Sequence, residues 1–543
     1  MSHTLRAVAD GSEELIDSKV EVHDRKQFEL KLEYQPSGLD PQSQYLVEML
    51  LFVPRSLNID PATWSREHFY RDLHNYVRLK TPVLSFDELL SGEHSPLVQL
   101  ERRVPLGLLG PVSEVIYDAK MLACVVRGAQ RRFARGMRRE CRQLLRGAET
   151  DQCAPPESPE QLLALARGSV RGTQEVLRRF RLVCAQLVAK YPLGDRAAAA
   201  LRLVDEYLSL LVEQYFRRIV VQMEAMPHNG VYTELRRELM DVVVADEQYR
   251  RLNGLPSVIE PEGDNEDYTQ RVGFLKKFCM NILFLKVQRS AQRKAWEEML
   301  FALAAGGSMA FALGVGLFAQ SRYPQASFNF FLLAVVGYMF KDRLKEGLRR
   351  LLSDYAGRFL YERRTRILDP VTQDEVGLCR ERLDYDDSVV VPEEVARLRA
   401  KDDQVTVAQG ELAESVIRYR KKISLESEML PRLGDGLVSG VTDIIRLNIG
   451  RLLHDMDDPE YELDYVDLDD FSVAKLRMPK SYHVDVAFRF SVDDGAHRRT
   501  TVQLTRLVLD RNGIKRMREL APETVVTQTK PVGAPADALS RAV

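Results

Sequence analysis

Apolar residues recur at every second position in four segments of the chain. Residues 28–34 and 45–53 alternate near the N-terminus, and residues 482–492 and 500–509 alternate near the C-terminus. A repeat of two residues is typical of a strand that buries one face. The pattern therefore predicts a small sheet in the N-terminal part and a β-hairpin in the C-terminal part.

Apolar residues recur at spacings of three and four through residues 111–147 and 158–253. This spacing predicts long amphipathic helices, and the short polar interruptions between them favour an antiparallel bundle. The same spacing predicts a helix over residues 267–298 that leads into a membrane. It also predicts an amphipathic cytoplasmic helix over residues 342–368.

One apolar run is long enough to cross a bilayer. From Met299 to Gln320 the sequence holds no charged residue, and about 20 apolar helical residues span a hydrocarbon core of roughly 30 Å. After a short link, a second uncharged stretch continues to Phe340, although it is shorter and contains Asn329. We therefore predict a transmembrane helical hairpin over residues 299–341.

Basic residues flank this predicted hairpin on both sides, while the link between its helices holds only Arg322. By the positive-inside rule both flanks are cytoplasmic. We therefore predict an integral protein of the cell inner membrane with both termini cytoplasmic. The flanking residues that determine this topology are Lys286, Arg289, Arg293, Lys294, Lys341, Arg343, Lys345, Arg349 and Arg350.

Small residues recur every four positions in the first apolar helix. One stripe consists of Ala302, Gly306, Ala310 and Gly314, and a neighbouring stripe consists of Ala304, Ser308, Ala312 and Gly316. Small side chains let helix backbones approach closely in lipid. The first stripe is thus the predicted packing surface, with the second helix of the same chain favoured as its partner over another copy of the protein.

These elements together give a fold-class prediction and a domain map. The predicted fold class is α+β and predominantly helical, with a two-helix transmembrane hairpin between an N-terminal small sheet plus helical bundle and a C-terminal α+β domain. The predicted segments are a flexible N-terminus (1–17), a small β-containing domain with helices (18–110), the bundle (111–258), the helix leading into the membrane (267–298), the hairpin (299–341), the amphipathic helix (342–368), the C-terminal domain (378–521) and a disordered tail (522–543).

Composition narrows the function classes only slightly. A formal net charge of -2 over 543 residues gives no overall attraction to nucleic acid, and the basic run at residues 131–146 is interpreted as a solvated helix face. The six cysteines and nine histidines are dispersed and match no metal-ligand or catalytic spacing. We therefore assign no catalytic residue, cofactor or metal, and we do not expect nucleic acid as a partner.

Three hypotheses for function remain. The leading one is a membrane-anchored cytoplasmic scaffold or signal-coupling protein without catalytic activity, whose partners are the lipid bilayer and an unknown cytoplasmic protein. The second is a membrane effector that self-associates through the first apolar helix and perturbs the bilayer. The third is an enzyme with a composite site between the cytoplasmic domains, which sequence motifs would not reveal.

Overall fold

A computed structural model describes residues 16–529 of the chain, apart from short gaps. The gaps are residues 35–41, 107–111, 150–158, 191–193, 225–229, 291, 325–326, 360, 371–372, 386–388, 401–413, 427–428, 430–435, 439, 468, 470, 494–497 and 522–526.

The described strands are β1 Ile16–Asp24, β2 Gln27–Tyr34, β3 Gln42–Pro54, β4 Leu73–Leu79, β5 Lys286–Ser290, β6 Arg363–Leu368, β7 Glu375–Tyr385, β8 Glu414–Glu426, β9 Val441–Asn448, β10 Glu460–Val466, β11 Val473–Pro479, β12 Tyr482–Asp493, β13 Arg498–Asp510, β14 Gly513–Ala521 and β15 Thr527–Thr529.

The described α-helices are α1 Arg66–Asp72, α2 Phe86–Ser91, α3 Pro96–Leu106, α4 Val112–Glu149, α5 Pro159–Lys190, α6 Gly194–Met223, α7 Gly230–Leu252, α8 Glu266–Met280, α9 Gln292–Arg322, α10 Phe328–Phe359, α11 Glu393–Arg399 and α12 Gly450–His454.

The largest sheet has nine strands and draws on both ends of the chain. Its order is β14-β13-β12-β3-β8-β7-β6-β5, and β15 also pairs with β13. Strand β3 runs antiparallel to β12 on one side, where Phe52 lies opposite Asp485, and to β8 on the other, where Phe52 lies opposite Val416. An N-terminal strand is therefore central to a sheet that is otherwise built from residues beyond 285.

A second sheet, of order β1-β2-β9-β4, covers the inner face of the nine-stranded sheet. The Phe28 ring of β2 meets the Phe488 ring of β12 edge-on at 6.3 Å, and the Tyr34 ring stacks on that of Tyr45 in β3. Apolar residues at every second position supply this interface, because alternate side chains of a strand point to the same face.

A separate compact unit is helical. It contains α2 to α8, and its long helices bury aromatic and aliphatic side chains such as Phe133, Phe180, Leu208 and Phe216. Arg250, fully buried, donates hydrogen bonds to the Ser257 carbonyl and the Ser209 hydroxyl. This unit spans residues Arg78–Leu285 and Met429–Val441, and the other unit, which contains the large sheet, spans the remaining segments.

The alternating segments are confirmed as strands β2, β3, β12 and β13. The fold-class prediction, however, is wrong. The described residues form three sheets, of four, two and nine strands, instead of a small N-terminal sheet and a separate C-terminal domain. A two-helix transmembrane hairpin is not supported either, because one helix alone among the described residues is long and apolar enough to cross a membrane.

Two predicted helices are also interrupted. Within residues 267–298, α8 ends at Met280 and strand β5 follows before α9 begins. Within residues 342–368, α10 ends at Phe359 and strand β6 follows. Both errors have one cause. Strands β5 and β6 are short and highly charged, so local periodicity gives little sign of them, and their pairing with each other is a tertiary contact.

The domain boundaries drawn from the sequence stay predictions. Most of the predicted flexible N-terminus lies outside the described residues, although β1 begins at Ile16. The predicted disordered tail also falls largely outside them. Its described part, β15, pairs with residues 498–500 of β13.

A candidate membrane-contacting hairpin and a buried ion-pair cluster

Helices α9 and α10 form an antiparallel pair that begins and ends in one sheet. Strand β5 directly precedes α9, β6 directly follows α10, and the two strands pair with each other from Lys286 opposite Leu368 to Ser290 opposite Arg364. The chain thus leaves the large sheet, runs along two long helices, and returns to the neighbouring strand.

The two helices differ in how much of their length is apolar. The segment Glu298–Arg322 of α9 meets the length and composition required to cross a bilayer. In α10 the uncharged part is the 13 residues 328–340, which rise about 20 Å, compared with roughly 30 Å of hydrocarbon. The guanidinium of Arg349 lies 4.1 Å from the Phe301 ring centroid. The charged half of α10 therefore lies beside the start of the apolar run of α9.

Helix α9 contacts α10 through small and β-branched residues. Ala304, Ser308 and Ala319 are buried, and a Cβ atom added at Gly337 of α10 would lie 2.6 Å from the nearest side-chain atom of Val315. Such close backbone approach is what small residues permit. The buried positions of α9 thus include Ala304 and Ser308 of the second stripe, whereas Gly316 of that stripe has nothing within 4 Å of an added Cβ atom.

The first stripe, Ala302, Gly306, Ala310 and Gly314, is exposed along its whole length. Nothing lies within 4 Å of a Cβ atom added at Gly306 or Gly314. Its role in packing against a further helix stays a prediction. The sequence alone could not choose between the stripes, because both have the same spacing and consist of small residues.

Large apolar side chains also cover the outer surface of the hairpin. Leu313 and Leu317 of α9 are 61% and 68% exposed, and Phe331 and Met339 of α10 are 64% and 66% exposed. Contiguous apolar surface of this kind marks a contact with lipid or with another protein.

The basic residues from which the membrane topology was predicted differ in their contacts and exposure. The Lys341 ammonium lies 3.9 Å from the Tyr338 ring centroid, and Lys286 donates a hydrogen bond to the side-chain oxygen of Gln373. Arg343, Lys345, Arg349 and Arg350 are exposed on α10. The side chains of Arg289, Arg293 and Lys294 lie outside the described residues.

A second feature is a cluster of polar groups sealed between the two packed sheets. The ammonium of Lys421 on β8 donates a 2.7 Å hydrogen bond to the Asp443 carboxylate on β9, and both side chains are completely buried. Nearby, the Tyr419 hydroxyl and the Asn75 side-chain amide each donate a hydrogen bond of 2.5 Å to the Glu381 carboxylate. The cluster thus joins strands of both sheets through hydrogen bonds and charge.

Burial and neighbouring charges shift the pKa values of the groups in this cluster. Loss of hydration raises the pKa of Asp443 and outweighs the opposing effect of Lys421. Burial alone would lower the pKa of Lys421, but the neighbouring carboxyl groups of Asp443 and Glu381 outweigh it and leave this pKa raised. Burial also raises the pKa of the Cys379 thiol, so this cysteine is a poor nucleophile at neutral pH.

The cluster unites residues from distant parts of the chain, and sequence reasoning missed it. A clue was present in β8, where Lys421 occupies a position of the alternation that its neighbours Tyr419 and Ile423 fill with buried side chains. Lys421 and Asp443 are not exposed to solvent, so the cluster offers no open site for a substrate. Within the described residues, no group of three or more His, Cys, Asp or Glu could hold a metal ion.

Comparisons with known proteins give no match, whether with family models, curated proteins or solved structures.

The packing of α9 on α10 can be tested at Gly337. We expect Gly337→Ile to separate the two helices, because its side chain would overlap Val315. A cysteine pair introduced at 315 and 338 would then cross-link less efficiently than in the parent protein. Gly314→Ile is the matched control, since its site is open, and equal losses in both variants would contradict the helix contact described here.

The buried ion pair can be tested by a double-mutant cycle. We expect Lys421→Met to lower the free energy of unfolding by about 3–5 kcal/mol, because it leaves the Asp443 carboxylate buried without a partner. The double variant Lys421→Met/Asp443→Leu should recover much of that loss. Fluorescence of the buried Trp64 during denaturant unfolding measures it.

The control for this cycle is Lys475→Met, which removes one partner of the exposed Lys475–Glu462 pair. We expect a change below about 1 kcal/mol there. A double variant no more stable than Lys421→Met would contradict the pairing.

Proposed function

We propose that this protein is a membrane-attached scaffold without catalytic activity, held at the bilayer by the exposed apolar surface of α9 and α10. The observation that carries the proposal is the exposure of large apolar side chains along a helix whose length would suffice to enter a bilayer. Water is an unfavourable environment for such a surface, whereas lipid chains are not.

The connections of the hairpin support a one-sided arrangement of the rest of the protein. Strands β5 and β6 pair directly, and we infer from this that the chain before α9 and the chain after α10 lie on the same side of the membrane. The exposed basic residues of α10 favour the cytoplasmic side. We therefore place the large sheet in the cytoplasm, at the inner membrane.

The scaffold role is proposed because the polar clusters described above act within the fold. The Lys421–Asp443 pair links two sheets and is closed to solvent. In a scaffold, the rigid sheets would instead present surfaces to cytoplasmic partner proteins. Turnover of a specific substrate by the purified protein would contradict this role and favour an enzyme with a composite site.

Membrane attachment is tested by flotation of the full chain with lipid vesicles. We expect Leu313→Glu/Leu317→Glu to abolish flotation, because each buried charge at the centre of a membrane helix costs about 2.5–3.5 kcal/mol. Both positions are exposed in the protein, so unfolding temperature should not change. Leu252→Glu is the matched control, since Leu252 is 88% exposed on a helix of the other unit. Flotation of the double variant equal to that of the parent would refute attachment through α9.

A second candidate function is favoured by the exposed stripe from Ala302 to Gly314. An oligomerising membrane effector would use this stripe to pack α9 against α9 of another copy and so perturb the bilayer. We expect Gly306→Ile/Gly314→Ile to abolish both self-association in mild detergent and leakage of dye from vesicles. Leakage that persists in this variant would eliminate the candidate.

A further inference from the structure

Helix α4 carries a line of arginines on the outer surface of the helical unit. Arg131, Arg135, Arg138 and Arg142 follow one another at spacings of four, three and four residues, and all four are exposed. Residues with this spacing lie on one face of a helix, so their guanidinium groups form a row about 17 Å long. Arg139 flanks the row and is also exposed. We call these five residues the arginine stripe.

The charge of the arginine stripe is not balanced by the residues around it. Residues 119–148 include nine basic residues and one acidic residue, Glu140, which at about 100° per residue lies almost opposite the stripe on the helix. On the adjoining helix α6, the Gln222 side-chain amide lies within hydrogen-bond distance of Arg138. The exposed Arg218 lies one turn before Gln222. The described surface of α6 beside the stripe therefore adds positive charge.

Many other arginines of the same unit are paired. Carboxylates of neighbouring helices form ion pairs with Arg103, Arg167, Arg179, Arg181, Arg250 and Arg271. In the arginine stripe, by contrast, Arg131, Arg138, Arg139 and Arg142 form no ion pair with any carboxylate that the structure describes. Concentrated charge of one sign destabilises the folded state by self-repulsion. An anionic partner would remove that repulsion.

We propose that the arginine stripe binds the anionic headgroups of the cytoplasmic leaflet. A guanidinium can donate two parallel hydrogen bonds to a phosphate or to a carboxylate, and a phosphatidylserine headgroup carries both groups. This inference rests on the proposed membrane attachment, because α9 brings the leaflet within reach. It adds a second contact, made by the helical unit, that selects for negatively charged lipid.

The connection between the helical unit and α9 is short enough for this contact. The segment Arg78–Leu285 of the unit ends shortly before the membrane-length part of α9, which begins at Glu298. Between them, strand β5 rises about 3.3 Å per residue and the start of α9 rises about 1.5 Å per residue. Leu285 therefore lies within about 30 Å of the place where α9 would enter lipid. A tether of this length holds the leaflet at a high effective concentration.

Two other anionic partners fit the arginine stripe less well. Single-stranded nucleic acid is usually bound by aromatic side chains that stack on its bases, whereas Phe133, the one aromatic residue within 127–146, is buried. An acidic protein would have to be captured from solution, whereas the chain itself holds the leaflet close. Lipid is therefore the partner that these observations favour.

The first experiment measures how fast phenylglyoxal, an arginine-specific reagent, modifies each arginine of the full chain in nanodiscs, with mass spectrometry as the readout. We expect Arg131, Arg138 and Arg142 to react about fivefold more slowly when phosphatidylserine is mixed with phosphatidylcholine, and high salt should remove the difference. A factor of five corresponds to about 1 kcal/mol for each basic residue at an anionic leaflet. The internal controls are Arg202 and Arg237, which are exposed in the same unit outside the stripe. Their rates should not depend on the lipid.

Failure of this inference can be told apart from failure of membrane attachment. Entry of the chain into discs of phosphatidylcholine alone depends on α9 and not on lipid charge. A chain that enters these discs, but whose stripe reacts equally fast with and without phosphatidylserine, keeps its attachment and refutes the lipid contact. A chain that does not enter them overturns both proposals. Protection by added RNA or polyglutamate, without protection by phosphatidylserine, assigns the stripe to nucleic acid or to acidic protein and also overturns the lipid contact.

The second experiment counts the phosphatidylserine molecules that stay bound to the full chain after purification from mixed micelles of detergent and lipid. We expect Arg131→Glu/Arg142→Glu to lose about half of them, because the basic residues of α10 hold the remainder. The matched control is Arg202→Glu/Arg237→Glu, which changes the net charge equally and should keep the parental number. All four side chains are exposed, so the unfolding temperature should match that of the parent in both variants. Equal losses in the two variants would mean that net charge alone matters and would overturn the proposal.

Discussion

Strand β3 is the constraint on which the sheet unit depends. It hydrogen-bonds to β12 on one edge and to β8 on the other, so a strand of 13 N-terminal residues joins segments that lie hundreds of residues later in the chain. Buried residues line both of its faces, including Met49, Leu50, Leu51 and Phe52. This strand must therefore be in place before the large sheet can be continuous, and such non-local pairing is slow to form.

The Lys421–Asp443 pair sets the relation between the two packed sheets. A fully buried ion pair is costly to desolvate and contributes little net stability, but breaking it is strongly unfavourable. Its two partners lie on strands of different sheets, so a shift of one sheet relative to the other would separate them. The pair thus favours one alignment over others that would bury as much apolar surface.

Two projections leave the nine-stranded sheet. Strands β5 and β6 at its edge carry the hairpin of α9 and α10, and the segment before β12 carries the ribbon of β10 and β11. Both projections expose apolar side chains that the rest of the fold leaves uncovered. Their charges differ, since α10 follows its apolar part with basic residues while the ribbon is acidic.

The sequence by itself determined the elements whose pattern is local: the alternating strands β2, β3, β12 and β13, the long bundle helices, and the single apolar run in α9. It could not determine which strands pair, because hydrogen bonding between β3 and β8 or between β5 and β6 leaves no local periodicity. It could not choose between two small-residue stripes of equal spacing in α9, and only the tertiary structure shows that Ala304 and Ser308 are buried whereas Gly306 and Gly314 are exposed. It also could not reveal that Lys421 is buried. A lysine in an alternating strand is usually exposed to solvent, and only the packing of the second sheet brings the Asp443 carboxylate within hydrogen-bond distance of it.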